Sequence, residues 1–521
     1  MDSKGYGEAK EIRNVRKEGG FVMGKPIELL SHSIFEKTFM DSKVKTKELS
    51  KSERILGHLI GPLGLIFVVN TIAALVEKFF TQQTGAMYGT ENVAMIQQMG
   101  GQYEIVMTVA KLLAVALGLV NGWLIQHTKS RQGRMRPWYL IFGFVSIIIG
   151  FLIFLFPGNT LGESYWFYFF ALLIAYHTVG STYFYLFRDT ICSLTTRDEK
   201  EKTQIQFIRK MSWTLLSGIV IGMVVNMVVL PMWLEHDIKG YAILLVGLSA
   251  VAIPLLLLEY FYTKERITED VNATKDATNN IPLKDQMKAL LTNRYFVIFM
   301  VLMTVAGVVD SFKGGNVQYF YIKYLLDGEN NPFMYTLYQI ITGIPLGVGA
   351  IIAYPISRKF GIRNFAMAGY VLVLIGSVLG WMFPSNLTIA MVAGFMRQMG
   401  MIPNAYIFAT LLCFAYDSVE HKSGIRMEGL MGVAIITAIQ AAINAPFAGG
   451  YESTILRMGF VDVVGVTPSA EVVGFMTLAF YLFDIILAVF NLVLLPFMDV
   501  EKKMPQITAD LEARKQNKEQ A

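Results

Sequence analysis

Long apolar runs alternate with short polar islands from about residue 55 to about residue 497. About 20 predominantly apolar residues in an α-helix cross the hydrocarbon core of a bilayer. The pattern predicts twelve such helices, near 55–79, 103–126, 137–156, 165–187, 207–230, 241–262, 294–326, 334–356, 363–383, 387–416, 429–450 and 472–497. Because backbone groups in lipid must be satisfied internally, we expect an all-α, multi-pass membrane protein.

The polar segments divide the chain into five parts. Residues 1–52 form an N-terminal extension rich in Lys and Glu, without the apolar core of a signal peptide, and residues 499–521 form a polar tail. Six predicted helices fall within 53–262 and six within 294–498, and the polar linker 263–293 joins them. This organisation predicts two pseudo-symmetric six-helix bundles, as in transporters built from parallel repeats.

Basic residues concentrate in the loops on one side of the predicted helices. These loops contain Lys129, Arg131, Arg134, Arg136, Arg188, Arg197, Lys200, Lys202, Arg358, Lys359, Arg363, Lys422 and Arg426. The opposite loops contain mainly Lys239 and Arg457. Because cytoplasmic loops carry the excess of Lys and Arg, we expect a protein of the cytoplasmic membrane with both termini in the cytoplasm.

Composition narrows the functional class. Hydrophobic residues make up 54% of the chain and charged residues 16%, whereas soluble proteins carry about a quarter charged residues. The net charge of +5 comes from the interhelical loops, and without a basic stripe interleaved with aromatics we expect no nucleic-acid partner. Cys192 and Cys413 are expected to be reduced thiols. The sequence shows neither metal-ligand spacing nor a catalytic triad, so we expect no cofactor and no enzymatic activity.

Several charges fall inside predicted helices, where each costs about 2.5–3.5 kcal/mol or more. Asp310 and Lys313 lie three residues apart, so they share a helix face and could neutralise each other. They and Arg397 are candidates either to line a cavity or to form structural pairs. Asp484 is expected to be a structural partner, because the outermost helices seldom line a path. For Glu77-Lys78, near the outer end of helix 1, we expect snorkelling to the interface.

Three polar islands carry a family resemblance. They are Gly122-Trp123 with Thr128-Lys-Ser-Arg-Gln-Gly-Arg-Met-Arg-Pro-Trp138, Leu194-Thr-Thr-Arg-Asp-Glu-Lys-Glu-Lys-Thr203, and Asp417-x-x-Glu420-x-Lys422-x-Gly424-x-Arg426-x-Glu428-Gly429. Over about residues 55–498 the chain resembles the major facilitator superfamily, and within it the glycoside-pentoside-hexuronide:cation symporters. The resemblance implies a secondary transporter that moves a sugar or glycoside by alternating access, and we expect it to be monomeric.

Charged residues of these islands are candidates for a cytoplasmic gate that joins the two bundles when that side closes. The candidates are Arg131, Arg134, Asp198, Glu201, Asp417, Glu420, Arg426 and Glu428. Exposed ion pairs contribute only about 0–1 kcal/mol each, which suits contacts that form and break repeatedly. The alternative is that these charges only anchor helix ends at the lipid headgroups.

Sugar sites combine flat aromatic faces with hydrogen-bonding side chains. The residues of this kind are Tyr183, Tyr185, Trp213, Gln318, Tyr319 and Asn404. The candidates for substrate binding or ion coupling are Lys111, Tyr185, Asp189, Asp310, Lys313, Gln318, Arg397 and Asn404. Most aromatic residues in such a chain are packing residues, so each aromatic candidate has a structural alternative.

The chain departs from the family at its cation site. That site is implied to use two acidic residues on helix 2 and a lysine on helix 11, which fall here at Ala114, Gly118 and Gln440. Hard cations need oxygen ligands, which Ala114 and Gly118 lack in their side chains. Either H⁺ or Na⁺ therefore couples through a relocated carboxylate, with Asp310 the foremost candidate, or the protein is an uncoupled facilitator or an exchanger.

Two further functions stay open on the sequence. One is a carrier of an amphiphile such as a lysolipid, which would need an apolar cleft open to the bilayer. The other is a non-transporting sensor with residues 1–52 as its effector segment. A carrier should function without that segment, whereas a sensor should not.

Overall fold

The computed structural model is helical throughout its described regular structure, which confirms the predicted all-α membrane class. The structure describes residues 48–127, 135–156, 158–181, eight positions between 191 and 212, and 220–265, 282–314, 316–406, 408–424, 431–463 and 465–520. Within these ranges, eight helices are long and apolar enough to cross a membrane, or nine if one bent pair forms a span. The number twelve stays a prediction.

The described residues of 53–262, here called the N-half, contain six main helices. They are α1 (Glu53–Tyr88), α2 (Val93–His127), α3 (Arg136–Leu155), α4 (Tyr165–Gly180), α5 (Val220–Leu234) and α6 (Gly240–Tyr262). α1 continues well beyond the predicted end near residue 79, because its polar last turns are buried in protein. In these turns Gln82 accepts a 2.8 Å hydrogen bond from the Tyr241 hydroxyl.

The described residues that follow form one surface helix, nine helices of residues 294–498, here called the C-half, and a helix near the end of the chain. They are α7 (Leu283–Thr292), α8 (Arg294–Lys313), α9 (Val317–Leu325), α10 (Phe333–Phe360), α11 (Ile362–Met382), α12 (Leu387–Tyr406), α13 (Ala409–Ser423), α14 (Met431–Asn444), α15 (Gly450–Arg457), α16 (Ala470–Leu494) and α17 (Val500–Gln520). α7 occupies the last third of the predicted linker.

Three predicted helices of the C-half are broken in the structure. Predicted helix 7 becomes α8 and α9, because Gly314 has a φ of +58° that ends the α-helical backbone. Predicted helix 10 becomes α12 and α13. Predicted helix 11 corresponds to α14, and the separate helix α15 starts after Gly449, whose φ is +70°. Positive φ is cheap only for glycine. α10 bends by 42° near residue 350. Pro355 lies one turn beyond this bend, and a proline inside a helix lacks an N–H donor and crowds the carbonyl four residues earlier, which bends the helix.

The halves meet mainly at α2 and α5 of the N-half. α2 packs against α14 and α15, and α5 packs against α10. Within the C-half, α11 and α12 approach so closely that a Cβ on Gly400 would overlap the Gly369 carbonyl. Close backbone approach at small residues is a common way to join helices in lipid.

The terminal helix α17 is attached to the C-half. Glu501 accepts hydrogen bonds from the backbone N–H groups of Ile362 (2.9 Å) and Arg363 (3.2 Å), which are otherwise unpaired at the start of α11. His421 Nε2 lies 2.8 Å from Asp510 Oδ2, and Arg514 donates to the His421 carbonyl. α17 therefore connects α11 with α13.

Candidate functional site

A polar cavity of about 290 Å³ lies among the helices of the C-half. Its lining residues are Asp310, Lys313, Gly314, Val317, Gln318, Tyr338, Thr342, Val373, Gly394, Arg397, Gln398, Met401, Phe480 and Asp484. They come from α8–α12 and α16, including the α8–α9 break. Four candidates from the sequence, Asp310, Lys313, Gln318 and Arg397, thus line one cavity, and Arg397 comes from a distant part of the chain.

Asp484 is the ionic centre of the cavity. Its Oδ1 lies 2.5 Å from Lys313 Nζ, and its Oδ2 pairs with the guanidinium of Arg397. Arg397 also lies over the ring of Phe480, 4.3 Å from its centroid. Lys313 forms its ion pair with Asp484, whereas Asp310 lies within electrostatic reach of Lys313 without forming an ion pair with it in the described structure. Asp484 is a pairing residue as expected, but it also lines the cavity, contrary to the expectation for an outermost helix.

The other polar groups of the cavity are one further carboxylate and several neutral side chains. Asp310 adds a second carboxylate, which balances the charges of Lys313 and Arg397 against two acids. Gln318 donates a 2.6 Å hydrogen bond to Gln339, and Tyr338, Thr342 and Gln398 add hydroxyl and amide groups to the wall. Together with the Phe480 ring, these groups can hydrogen-bond and stack against a small polyhydroxylated molecule.

The remaining candidates for substrate or coupling lie elsewhere. Asn404 is on α12, two turns beyond Arg397, and is not among the lining residues. Lys111 is on α2, within electrostatic reach of Glu77 and His177. Tyr185 and Asp189 lie outside the described residues. No group of three or more His, Cys, Asp or Glu side chains in the described part of the chain could hold a metal ion.

Of the candidate gate residues, three are described. Glu201 accepts a 2.9 Å charged hydrogen bond from Arg54 and a 2.9 Å hydrogen bond from Thr196, both in the same half. Asp417 and Glu420 lie on α13. The other five, Arg131, Arg134, Asp198, Arg426 and Glu428, lie outside the described residues. The gate stays a prediction.

A four-charge cluster (Lys78, Glu235, Lys323 and Asp462) joins the halves at the end of α1. Lys323 Nζ lies 2.8 Å from both Glu235 Oε1 and Asp462 Oδ1, and Lys78 pairs with Asp462 and, at 3.4 Å, with Glu235. The hydroxyls of Tyr319 and Tyr324 donate to Glu235 and Asp462.

The cluster corrects one sequence expectation. Lys78 does not snorkel, because its side chain is 0% exposed and pairs inside the protein. Glu235 and Asp462 lie in loops, where sequence reasoning assigns charges to solvent. The available signal was that loops on this side contain acidic residues but few Lys or Arg residues to pair with them. Tyr319, considered as a sugar-binding aromatic, packs in this cluster and does not line the cavity.

Among the described residues, the ion pairs between the halves lie at this same end. Besides the cluster, Arg457 of the C-half pairs with Glu104 of the N-half. At the opposite end, the described pairs Arg54–Glu201 and Arg209–Glu259 stay within the N-half, and Arg294–Asp499 stays within the C-half and its tail. The described ion pairs therefore hold the halves together where α1 ends, which is the end that the loop charges predict to be extracellular.

Comparisons with known proteins give the family. The family model described as MFS/sugar transport protein matches residues 57–502. The chain is 23% identical to an isoprimeverose transporter of Lactiplantibacillus pentosus, over 78% of this chain and 82% of the relative. It is 24% identical to a lactose permease of Leuconostoc lactis, over 90% and 73%. It is 25% identical to a raffinose carrier protein of Pediococcus pentosaceus, over 67% and 54%. The chain thus belongs to the MFS/sugar transport protein family, which confirms its resemblance to the glycoside-pentoside-hexuronide symporters.

Proposed function

We propose that the protein carries a sugar or glycoside across the cytoplasmic membrane by alternating access, with transport coupled to a cation. The observation that carries the proposal is the C-half cavity, in which Arg397, Lys313 and Asp484 form a buried ionic group beside neutral hydrogen-bonding side chains and the Phe480 ring. The names of the relatives, which are carriers of oligosaccharides, support the same solute class.

Two structural features support alternating access between two six-helix bundles. The contacts of α2 with α14 and α15 and of α5 with α10 correspond to predicted helices 2 with 11 and 5 with 8. In a protein of two six-helix repeats, helices 2 and 5 of the first repeat are equivalent to helices 8 and 11 of the second. The contact of helices 2 and 11 is therefore the pseudo-symmetric image of the contact of helices 5 and 8. The four-charge cluster joins the halves at one end, as expected for a state of such a carrier that is closed at that end.

The lining of the cavity favours a sugar over a lysolipid. An acyl chain needs a continuous apolar wall, whereas this cavity contains two carboxylates, two cationic groups and two amides. Placing an acyl chain against these groups would desolvate them without hydrogen bonds in return.

The solute can be identified by ligand-induced stabilisation of the purified protein, followed by uptake into proteoliposomes. The probes are isoprimeverose, lactose, raffinose, simple methyl glycosides, a hexuronate and a lysophospholipid, each with and without Na⁺. A ligand that binds the folded state raises the Tm. We expect one of the sugars to do so, and to be taken up.

The site is tested with Arg397→Gln, which should abolish the sugar-induced rise in Tm. The matched control is Arg363→Gln, at the exposed start of α11, where the rise should be retained. Stabilisation by the lysophospholipid alone, or an unchanged sugar response in Arg397→Gln, would contradict the proposal.

A further inference from the structure

A second cavity of about 290 Å³ lies at one face of the C-half, apart from the cavity described above. It is formed by the end of α10, the start of α11 and the junction between α16 and α17. Because three apolar helices stop here, it lies at the depth where the hydrocarbon core gives way to lipid headgroups. The loop charges predict this face to be cytoplasmic. Its charged and aromatic side chains, here called the basic pocket, are Lys359, Phe360, Arg363, Asp499, Glu501 and Lys502.

Both acidic groups of the basic pocket are already engaged. Glu501 accepts hydrogen bonds from the two backbone N–H groups at the start of α11. Asp499 Oδ1 lies 2.5 Å from a guanidinium nitrogen of Arg294 and accepts a 2.8 Å hydrogen bond from the Tyr295 hydroxyl. Lys503 lies 3.6 Å from the other oxygen of Asp499. Neither carboxylate therefore forms an ion pair with a lysine of the pocket in the described structure.

The two lysines of the basic pocket have no acidic partner. Among the described residues, neither Lys359 nor Lys502 forms an ion pair, and both side chains are exposed. Lys359 Nζ lies 5.4 Å from the centroid of the Phe360 ring. Arg363 donates its hydrogen bonds to neutral acceptors, and its charge offsets that of Glu501. The pocket therefore has an excess of positive charge, which its two lysines carry.

Exposed apolar side chains lie beside these lysines. Phe360, at the end of α10, is 57% exposed, and Phe497, after the end of α16, is 61% exposed. Val493, four residues before Phe497, is 58% exposed. The Pro496 carbonyl accepts a 3.4 Å hydrogen bond from Arg363, which places the end of α16 against the pocket. Because contact with water is unfavourable for apolar surface, this rim favours acyl chains.

We propose that the basic pocket binds an anionic phospholipid, with the phosphate held by Lys359 and Lys502 and the acyl chains along Phe360 and Phe497. The cytoplasmic leaflet carries the anionic lipids, and basic pockets between helices on that side are suited to their headgroups. A Lys ammonium binds phosphate as a compact point charge. Each such charge near the membrane surface contributes about fivefold to the affinity. The inference does not depend on the proposed transport function.

A lipid suits this pocket better than a soluble phosphate. Two exposed lysines attract a free phosphate only weakly, because water and salt screen exposed charges. A phospholipid adds the burial of apolar surface against the phenylalanine rings. The volume of about 290 Å³ is near the lower limit of small-molecule pockets, about 300 Å³, which suits a headgroup.

A bound phospholipid connects α10 with α17. Lys359 belongs to α10 and Lys502 to α17, and α17 already holds the start of α11 through Glu501. An anion between the two lysines also balances two like charges that otherwise repel each other. Anionic lipid should therefore stabilise the folded protein.

The test measures lipid binding directly. Native mass spectrometry follows the full chain in detergent as dioleoyl-phosphatidylglycerol or dioleoyl-phosphatidylcholine is added. The two lipids have the same acyl chains and differ in the charge of the headgroup. We expect phosphatidylglycerol to bind more tightly and to raise the Tm above its value in phosphatidylcholine.

Variants assign this binding to the pocket. Lys359→Gln combined with Lys502→Gln should weaken phosphatidylglycerol binding about 25-fold, from two contributions of about fivefold each. The matched control is Lys284→Gln combined with Lys288→Gln, which removes two exposed lysines of α7 on the same predicted face. The control should keep the affinity of the wild type. Since all four lysines are exposed, both double variants should fold, and their Tm in phosphatidylcholine checks this.

Soluble phosphates separate the two sources of the phosphate group. Inorganic phosphate and glycerol phosphate, added at millimolar concentration, should not displace phosphatidylglycerol. Three results would overturn the inference: equal affinity for the two lipids, no greater loss of affinity in the pocket variant than in the control, or displacement of the lipid by inorganic phosphate. No sugar enters these measurements, so their outcome is independent of the transport assays.

Discussion

Removing one charge from the four-charge cluster should open the closed end of the protein. Asp462 is 1% exposed, and its Oδ1 lies 2.8 Å from Lys323 Nζ and 2.5 Å from the Tyr324 hydroxyl. Asp462→Asn keeps the shape of the side chain but leaves two buried lysines facing only Glu235. Breaking a buried ion pair by removing one partner costs about 3–5 kcal/mol.

The cost falls on the closed state alone, because opening returns both lysines to water. At about 3 kcal/mol, the lower end of that range, the ratio of closed to open protein should fall about 150-fold. Spin labels are attached at Glu91→Cys and Glu329→Cys in a protein with Cys192→Ser and Cys413→Ser. The distance between the two labels reports this ratio at a fixed pH of 6. The matched control is Asp327→Asn, an exposed carboxylate in the same half, which should leave the ratio unchanged.

A second substitution tests whether charge balance is the cause. Lys78→Gln combined with Asp462→Asn leaves one lysine and one glutamate, so the double variant should recover much of the closed population lost in Asp462→Asn. The reasoning is refuted if Asp462→Asn changes the ratio less than tenfold, or if the double variant is as open as the single one. Either result would mean that apolar packing, and not the ion pairs, holds this end shut.

The remaining predictions concern backbone approach, the cavity and the N-terminal extension. Gly400→Ala should destabilise the protein by about 1–3 kcal/mol, because its Cβ would overlap the Gly369 carbonyl. In the control Gly347→Ala on α10, the new Cβ meets no atom within 4 Å, so this variant should be neutral or stabilising. Thermal unfolding compares the two variants, and equal Tm values would contradict the packing described. Gly314→Ala, at φ +58° and against Glu77, should cost about 1–2 kcal/mol and reduce closure in the spin-label assay; a wild-type distance distribution would count against it. Asp310→Asn should weaken sugar binding, because Asp310 lines the cavity, and an unchanged sugar-induced rise in Tm would contradict this role. Deleting residues 1–50 should preserve uptake in proteoliposomes, and its loss in a folded variant would favour a sensor.

The apolar pattern predicted most helix positions because burial in lipid dominates the sequence of a span. Predicted helix 6 at 241–262 is α6 (Gly240–Tyr262), and predicted helix 9 at 363–383 is α11 (Ile362–Met382). The pattern failed where polar residues are buried in protein. Gln82 is hydrogen-bonded to Tyr241, on another helix, so hydropathy ended α1 too early.

The cavity was only partly predictable. The cost of charge in lipid singled out Asp310, Lys313 and Arg397, which the structure brings together. The cost of placing a charge in lipid does not show which residue will pair with that charge. Asp484 pairs with Lys313 and Arg397, which are 171 and 87 positions away in sequence.

The charges that join the halves were less predictable still. Glu235 and Asp462 lie in loops, where sequence reasoning expects hydrated side chains. Only the folded chain shows that these loops turn inward onto Lys78 and Lys323.

The attachment of α17 limits how the inner face of the C-half can deform. Glu501 fastens the start of α11, while Asp510 and Arg514 reach the end of α13. These two helix ends therefore cannot move apart without breaking the hydrogen bonds that they form with α17. Solute release to the cytoplasm should then proceed by tilting of this half as one rigid piece, and a fluorophore attached to α17 would report that tilt faithfully.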